Sequence, residues 1–229
     1  MLNTMSVRIV LTAGRNGMIT NAKFTTAYHD ENGTGSLMPQ PQCHVIAHES
    51  SRVIGDCVQS LTQHGWRYKI FPAVDGKTVT AQDWHRTGVT MSQEGKMTRR
   101  PGAQGCWLSH FALWQKCIAL NNPVIVMEHD ALVTGPWPED LNIDNQLVKL
   151  FSTAECKTNP AFGLWSKGAH AYTVTPAQAH TLITDAQQRG AQAVDKHLGN
   201  LVLPWTFYHR DLVILNPRRG PSSTSPLRK

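Results

Sequence analysis

The stretch Pro123-Val-Ile-Val-Met-Glu-His-Asp-Ala131 reads as a buried strand that stops in two carboxylates. Four apolar residues in a row, Val124 to Met127, suit a strand covered on both faces, as in a parallel sheet. Glu128 and Asp130 are two residues apart, so an extended backbone points both side chains the same way. In open α/β sheets, ligands bind just beyond the carboxyl ends of the strands. Two hard oxygen donors at that spot suit a divalent cation holding phosphates. On pattern alone, a strand ending in a solvated acidic turn is the simpler reading. The rest of the chain shifts the balance.

Upstream, Gln104 to Leu120 carries Trp107, Leu108, Phe111, Leu113, Trp114, Cys117 and Ile118 at helical spacing, and Asn121-Asn122-Pro123 stops it. Further back, Cys43 to Ala47 is a short apolar run. Val53, Cys57, Val58 and Leu61 recur as a helix, with Ser50 and Ser51 as candidate caps and His64-Gly65 as its end. Trp66 to Phe71 alternates as a strand. This strand–helix–strand order predicts a βαβ unit and a parallel sheet. Residues 72–103 hold few periodic apolar positions and read as a long loop. Downstream, Leu141 to Phe151 suggests a short helix, and Ala171 to Val174 a strand. Thr175-Pro176 opens a helix running to about Arg189-Gly190. Val194 to Leu201 suggests another short helix, and Leu212 to Leu215 a last strand. The expected fold is α/β: a single Rossmann-type domain with a mostly parallel central sheet and flanking helices, over residues 43–215. Residues 1–42 read as an N-terminal extension, either a hairpin or an extra strand followed by a loop. Residues 216–229 read as a flexible basic tail.

The 229 residues are 41% hydrophobic and 17% charged, which is ordinary for a globular protein with a sizeable core. No apolar run approaches the roughly 20 residues of a membrane span, and the N-terminal run is too short and interrupted for a signal peptide. The five cysteines are odd in number and widely spaced, with no zinc-ligand or disulfide pattern, so a cytoplasmic location is expected, host cytoplasm for a phage protein. A formal charge of +6 favours a phosphorylated or polyanionic partner. No Gly-x-Gly-x-x-Gly follows the first strand of the main domain, which disfavours a dinucleotide-dependent dehydrogenase.

Four segments together resemble glycosyltransferase family 25, the lipopolysaccharide-type sugar transferases related to collagen galactosyltransferases. They are Val45 through Arg52 leading to Phe71-Pro-Ala-Val-Asp-Gly-Lys77; Gly105-Cys-Trp-Leu-Ser-His-Phe-Ala-Leu-Trp-Gln-Lys116; Val124 to Asp130; and Gly168-Ala-His-Ala-Tyr-Thr-Val174 with Val194-Asp195 beyond. The resemblance implies a GT-A-like fold and inverting transfer of a sugar from a nucleotide-sugar donor, expected to be a UDP-sugar, to an acceptor hydroxyl. It also implies a divalent metal, manganese or magnesium, at an acidic motif whose place is taken by Glu128-His129-Asp130. The family usually has Asp where this chain has His129. It generally has an acidic residue shortly before Gly-Cys, where Ala103 and Gln104 stand here.

The resemblance assigns roles residue by residue. Asp130 and Glu128 are the expected metal ligands, with Glu128 alternatively at the donor ribose, and His209 a late candidate for the metal shell. Val74, Asp75 and Gly76 are expected at the nucleotide; an ordinary Asp-Gly turn explains them as well. Arg52 suits the donor phosphates, since its fork matches phosphate oxygens; a solvent-exposed arginine fits equally. Ser109, His110 and His129 are candidate donor contacts, with a core histidine the plainer account of His110. Asp195 is the candidate general base, and a helix N-cap aspartate is its plainer account. The expected acceptor is a lipopolysaccharide or other glycan hydroxyl. The runner-up is DNA carrying hydroxymethylated pyrimidines, with Trp84, Trp107 or Trp205 stacking on a flipped base. A different class, a non-catalytic sugar-nucleotide or nucleic-acid binding module, stays open because of His129.

Overall fold

The computed structural model of the chain describes residues 7–13, 19–26, 40–91, 100–151, 155–160 and 162–220. They fall into two compact units, Met1–Met38 and Pro39–Lys229. In the first, β1 (Val7–Ala13) and β2 (Ile19–Thr26) pair antiparallel from Val7↔Thr26 to Ala13↔Ile19, with the register slipping at Thr12/Ala13. The expected second strand at Thr25 to Tyr28 instead begins at Ile19, and the expected turn at Gly14 to Gly17 lies outside the described residues.

The second unit runs β3 (Gln42–Ala47), α1 (Ile54–Gln63), β4 (Tyr68–Pro72), α2 (Ala81–Thr87), α3 (Pro101–Leu120), β5 (Val124–Glu128), β6 (Ala131–Val133), β7 (Leu147–Lys149), β8 (Cys156–Asn159), β9 (Gly163–Ser166), β10 (Ala171–Val174), α4 (Pro176–Arg189), α5 (Val194–His197), β11 (Trp205–Phe207) and β12 (Val213–Leu215). Six strands form one sheet in the order β11-β7-β10-β5-β3-β4. The β4–β3, β3–β5 and β7–β11 pairings are parallel, while β10 runs antiparallel to both neighbours. The sheet is thus mostly parallel and flanked by helices, a Rossmann-like α/β domain. β5 sits between β3 and β10 with Val124 to Met127 buried, as its unbroken apolar run requires.

Side chains alternate across the sheet into two cores. On one face Ile46, Val124, Val126, Leu147, Tyr172 and Val174 pack with Trp107, Phe111 and Trp114 of α3 and Leu182 and Ala186 of α4. On the other, Cys43, Val45, Ile125, Met127 and Val148 pack with Cys57 and Leu61 of α1 and with Val133 and Val213. Helix α3 is broadly apolar because it lies between sheet and α4. Trp107 stacks on both Trp84 (5.1 Å between ring centroids) and Phe111 (5.0 Å).

Several local expectations fail for identifiable reasons. The N-cap of α1 is Val53, without a side-chain cap, so Ser50 and Ser51 do not cap it. Residues 81–87 of the expected loop are the helix α2. Its signal was a Thr80–Asp83 capping box rather than apolar period, with Gly88 closing it in the left-handed region at φ 68°. Leu141 to Phe151 holds no helix: its only regular element is β7, Leu147–Lys149, whose pairing on both sides overrides the weak helical pattern. The chain also does not leave the fold at Asn216. That residue is 1% exposed, its side-chain amide donates to Asp56 Oδ2 (2.8 Å), and its backbone N–H donates to the Asp130 carbonyl (2.7 Å). Residues 221–229 lie outside the described residues.

Two glycines lock the loop after β4 against the start of α3. A Cβ on Gly76 would lie 1.7 Å from the Pro101 carbonyl oxygen, and one on Gly105 would lie 2.3 Å from the Val74 carbonyl oxygen and 2.7 Å from the Gly76 nitrogen. All of these obstacles are backbone, so no rotamer change relieves them. Gly76→Ala and Gly105→Ala are each expected to cost about 3 kcal/mol in urea unfolding. Gly55→Ala, with nothing within 4 Å, should be neutral or stabilising by up to about 1 kcal/mol. Equal effects at all three sites would refute the close-approach explanation.

Candidate functional site

The carboxyl edge of the parallel strands collects the polar residues. Ala47 and His48 leave β3, Ala73 to Asp75 leave β4, and Glu128-His129-Asp130 leave β5. Because β10 is antiparallel, its amino end, with His170, comes to the same edge. The Glu128 backbone N–H donates to the His170 carbonyl (2.8 Å), and that of His129 donates to the Ile46 carbonyl (3.0 Å).

A polar thread runs through the apolar body of α3 at Cys106, His110 and Trp114, each four residues apart and so on one face. The Trp114 indole N–H donates to the Tyr172 hydroxyl oxygen (2.9 Å). Tyr172 then has its own hydrogen for His110 Nδ1 (2.8 Å). This places the imidazole hydrogen on Nε2, facing Glu128 Oε1 at 3.3 Å. The Cys106 thiol donates to the same oxygen (3.8 Å). Burial is the largest influence on the Glu128 carboxyl and pushes its pKa up. The hydrogen bond from His110, and after it the electrostatic influence of the neighbouring imidazoles, outweigh it, so the net shift is downward and Glu128 is held ionised.

Asp130 is shifted the other way. Burial, then the charge of Glu128, raise its pKa against the opposing influence of His129 and Arg219. Its Oδ2 meets Arg219 Nη1 at 3.4 Å, while its Oδ1 is buried with no hydrogen-bond partner among the described residues. An orphaned, buried carboxylate oxygen is costly and is the kind of atom a divalent cation satisfies. Asp130 is therefore compatible with the divalent metal that the resemblance implies at Glu128-His129-Asp130. A second group, Cys106, His110 and Glu128, also brings three ligand-type atoms within 4.8 Å of one another. It would hold a metal only with the Cys106 thiol deprotonated and His110 Nε2 bare. Without one, burial and then the Glu128 charge push the Cys106 thiol well above its ordinary pKa, and Cys106 and His110 both hydrogen-bond to Glu128 Oε1 and so orient it.

Asp195 is the second residue of the short helix α5, whose N-cap is Ala193, so the capping explanation of Asp195 does not apply. Its Oδ1 accepts from the Lys196 N–H (2.9 Å). Burial raises its pKa, opposed by hydrogen bonds from the Lys196 and Gly168 backbone and by the charges of Lys149 and Lys196. Its charge reaches the Cys106 thiol, so Asp195 shares the neighbourhood of Glu128. Lys149, the last residue of β7, is the cation on this side. It is fully buried, donates to Ser166 Oγ (2.6 Å), and sits 4.5 Å over the Trp205 ring. Burial lowers its pKa to about 8, with Asp195 opposing. His170, stacked on Phe151 at 3.8 Å, is held neutral, its pKa lowered to about 4 by burial against the pull of Glu128.

The structure thus brings Glu128, His110, His129, Asp130 and Asp195 to one region. Val74, Asp75 and Gly76 adjoin it through α3. Ser109 is fully buried, and its hydroxyl is spent on holding that loop: it donates to the Gly105 carbonyl (2.7 Å) and accepts from the Val74 N–H (2.9 Å). The Asp75 carboxylate closes its own turn by accepting from the Lys77 N–H (2.9 Å) and faces His48 at 3.9 Å. Arg52 is exposed in the β3–α1 loop. His209 contacts Arg210 (3.1 Å) and the Tyr208 ring rather than either acid. Trp84 and Trp107 are 5% and 0% exposed, which leaves them no face for a flipped base. Trp205 is only partly buried and carries Lys149 on its ring. Cys106, Tyr172, His170 and Lys149 were not foreseen as site residues. The four-residue spacing of Cys106, His110 and Trp114 was the available signal for the thread; for Arg219 it was the basic pair Arg218-Arg219, which reads first as a solvated surface and second as a phosphate-facing cluster. A depression of about 280 Å³ on α4, lined by His180, Thr184 and Asp185 among others, contains none of these groups.

Residues 55–160 match the family model of glycosyltransferase family 25 (LPS biosynthesis protein). That span covers the loop after β4, all of α3 and the acids after β5, and stops short of Asp195. No curated protein matches the chain. Among the described residues, no helix is long and apolar enough to cross a membrane.

Proposed function

We propose that this chain, whose residues 55–160 match the model of glycosyltransferase family 25, moves a sugar from a UDP-sugar to a glycan hydroxyl of the lipopolysaccharide kind, with inversion at the transferred carbon. The observation that carries the reading is the pair of carboxylates beyond β5. One is held ionised by His110, and the other has a buried oxygen with no hydrogen-bond partner among the described residues. Asp130 and Glu128 would hold a manganese or magnesium ion, which as a Lewis acid would stabilise the departing diphosphate. Glu128 has its Oε1 fixed by His110 and Cys106, which leaves Oε2 for the cation or a ribose hydroxyl. The loop Val74–Gly76, pinned on α3, lines the nucleotide side. Asp195 takes the proton of the acceptor hydroxyl as that oxygen bonds to the sugar carbon and the bond to phosphate breaks. Its raised pKa brings it nearer to working pH than an ordinary aspartate. The burial of Trp84 and Trp107 favours a glycan acceptor over a flipped DNA base.

A thermal-shift screen of nucleotide sugars, with and without manganese, tests the donor. The right donor at about 100 times its Kd stabilises by about 2.7 kcal/mol, read as a rise in melting temperature that manganese enlarges. Release of the nucleotide on adding glycan acceptors then tests turnover. A donor that binds and is never cleaved would make the protein a binding module. No shift with any nucleotide sugar would overturn the reading.

A further inference from the structure

We propose that Arg219, on the segment after β12, is a binding residue for the donor's diphosphate, held at the site beforehand by Asp130. The inference rests on the reading above and adds a residue outside the matched family segment.

The chain after β12 is tied down at the end of β5 and at α1. The Asn216 backbone N–H donates to the Asp130 carbonyl (2.7 Å), its side chain donates to Asp56 Oδ2 (2.8 Å), and its Oδ1 accepts from the Arg218 N–H (2.8 Å). Arg218 pairs with Asp56 on α1, and the Arg219 N–H donates to the Asn216 carbonyl (3.1 Å). These bonds deliver the Arg219 guanidinium to the carboxyl end of β5.

What Arg219 does there is incomplete as an ion pair. A well-made arginine–carboxylate pair uses two parallel bonds of about 2.8 Å. Arg219 makes one contact with Asp130, at 3.4 Å, and its side chain stays 37% exposed. Asp130, only 15% exposed, leaves its Oδ1 unsatisfied. An acceptor without a partner among the described residues and a partly exposed guanidinium fork therefore sit side by side. A neutral sugar hydroxyl would satisfy one of them. A diphosphate carrying a divalent cation satisfies both, the cation at Asp130 and the phosphate oxygens at the guanidinium fork. In the free protein Arg219 and a metal compete for the same carboxylate. In the donor complex they sit on the same ligand.

The competition gives the test its two signs. Binding of manganese alone and of inorganic pyrophosphate, with and without manganese, is measured by calorimetry on the full chain and on Arg219→Ala, Arg219→Lys and Asp130→Asn. Arg219→Ala should bind manganese alone more tightly, by a few fold, and pyrophosphate about tenfold or more weakly. Arg219→Lys keeps the charge without the fork, and should restore the manganese affinity but only part of the pyrophosphate affinity. A purely structural strap would weaken both probes together and lower the melting temperature; that result, or equal pyrophosphate affinity in parent and Arg219→Ala, overturns the proposal. If the parent binds no manganese, the cation reading of Asp130 fails. Loss of metal-free pyrophosphate binding in Arg219→Ala would still uphold Arg219. If neither probe binds the parent, both fail.

Discussion

Asp130→Ala is expected to reduce sugar transfer by at least a hundred- to a thousandfold while leaving the protein folded. The size follows from removing a group that anchors charge at the leaving diphosphate, an effect worth about 3 kcal/mol or more. Retention of the fold follows from the local bonds. The backbone carbonyl of Asp130, which accepts from the Asn216 N–H, is unchanged by the substitution. The carboxylate itself has one long contact and one orphaned oxygen. Its raised pKa says that burial already disfavours its charge, so its loss should leave stability unchanged or raise it slightly. The measurement is transfer rate beside melting temperature and manganese affinity. Full transfer with unchanged metal binding would remove Asp130 from the site.

Asp195→Asn should leave donor binding unchanged and lower turnover by about 10² to 10⁴, the usual worth of a general base. The substitution preserves shape, and an asparagine oxygen still accepts from the Lys196 N–H. The pH profile separates a base from a structural residue. In the parent, activity should fall as pH drops through the raised Asp195 pKa, because the protonated carboxyl accepts nothing. The charge of Lys149 opposes that rise, so Lys149→Met should move the acid limb to higher pH. In Asp195→Asn the acid limb should disappear along with most of the rate. Unchanged turnover would assign the base elsewhere.

Both substitutions act on residues that the sequence offered, yet the sequence showed their surroundings unevenly. The run Val124 to Met127 declared a strand buried on both faces, and Glu128 and Asp130 marked its end. The Ala-Val-Asp-Gly and Gly-Cys-x-Leu-Ser-His segments read as separate signatures. In the fold they are two sides of one contact: Gly76 and Gly105 let backbone touch backbone, and Ser109 ties the Val74 N–H to α3. Ser109 was therefore found for a reason that the structure replaces. Helix α2 went unseen because one buried Trp84 does not make a period. β7 looked helical because three residues carry too little pattern to outweigh their flanks.

Local rules act over a few residues, and the features they govern were legible in the chain alone: the buried central strand, the helix stops at Asn121 and Gly190, the α/β order, and the acids at a strand's carboxyl end. Which acid is held ionised and which keeps an unpartnered oxygen depends on atoms far apart in sequence. Trp114, Tyr172 and His110 fix the proton that faces Glu128, and Arg219 arrives beside Asp130 from 89 residues away. Burial, hydrogen bonds and charge set a carboxylate's state by distance in space, so only the folded chain could decide it.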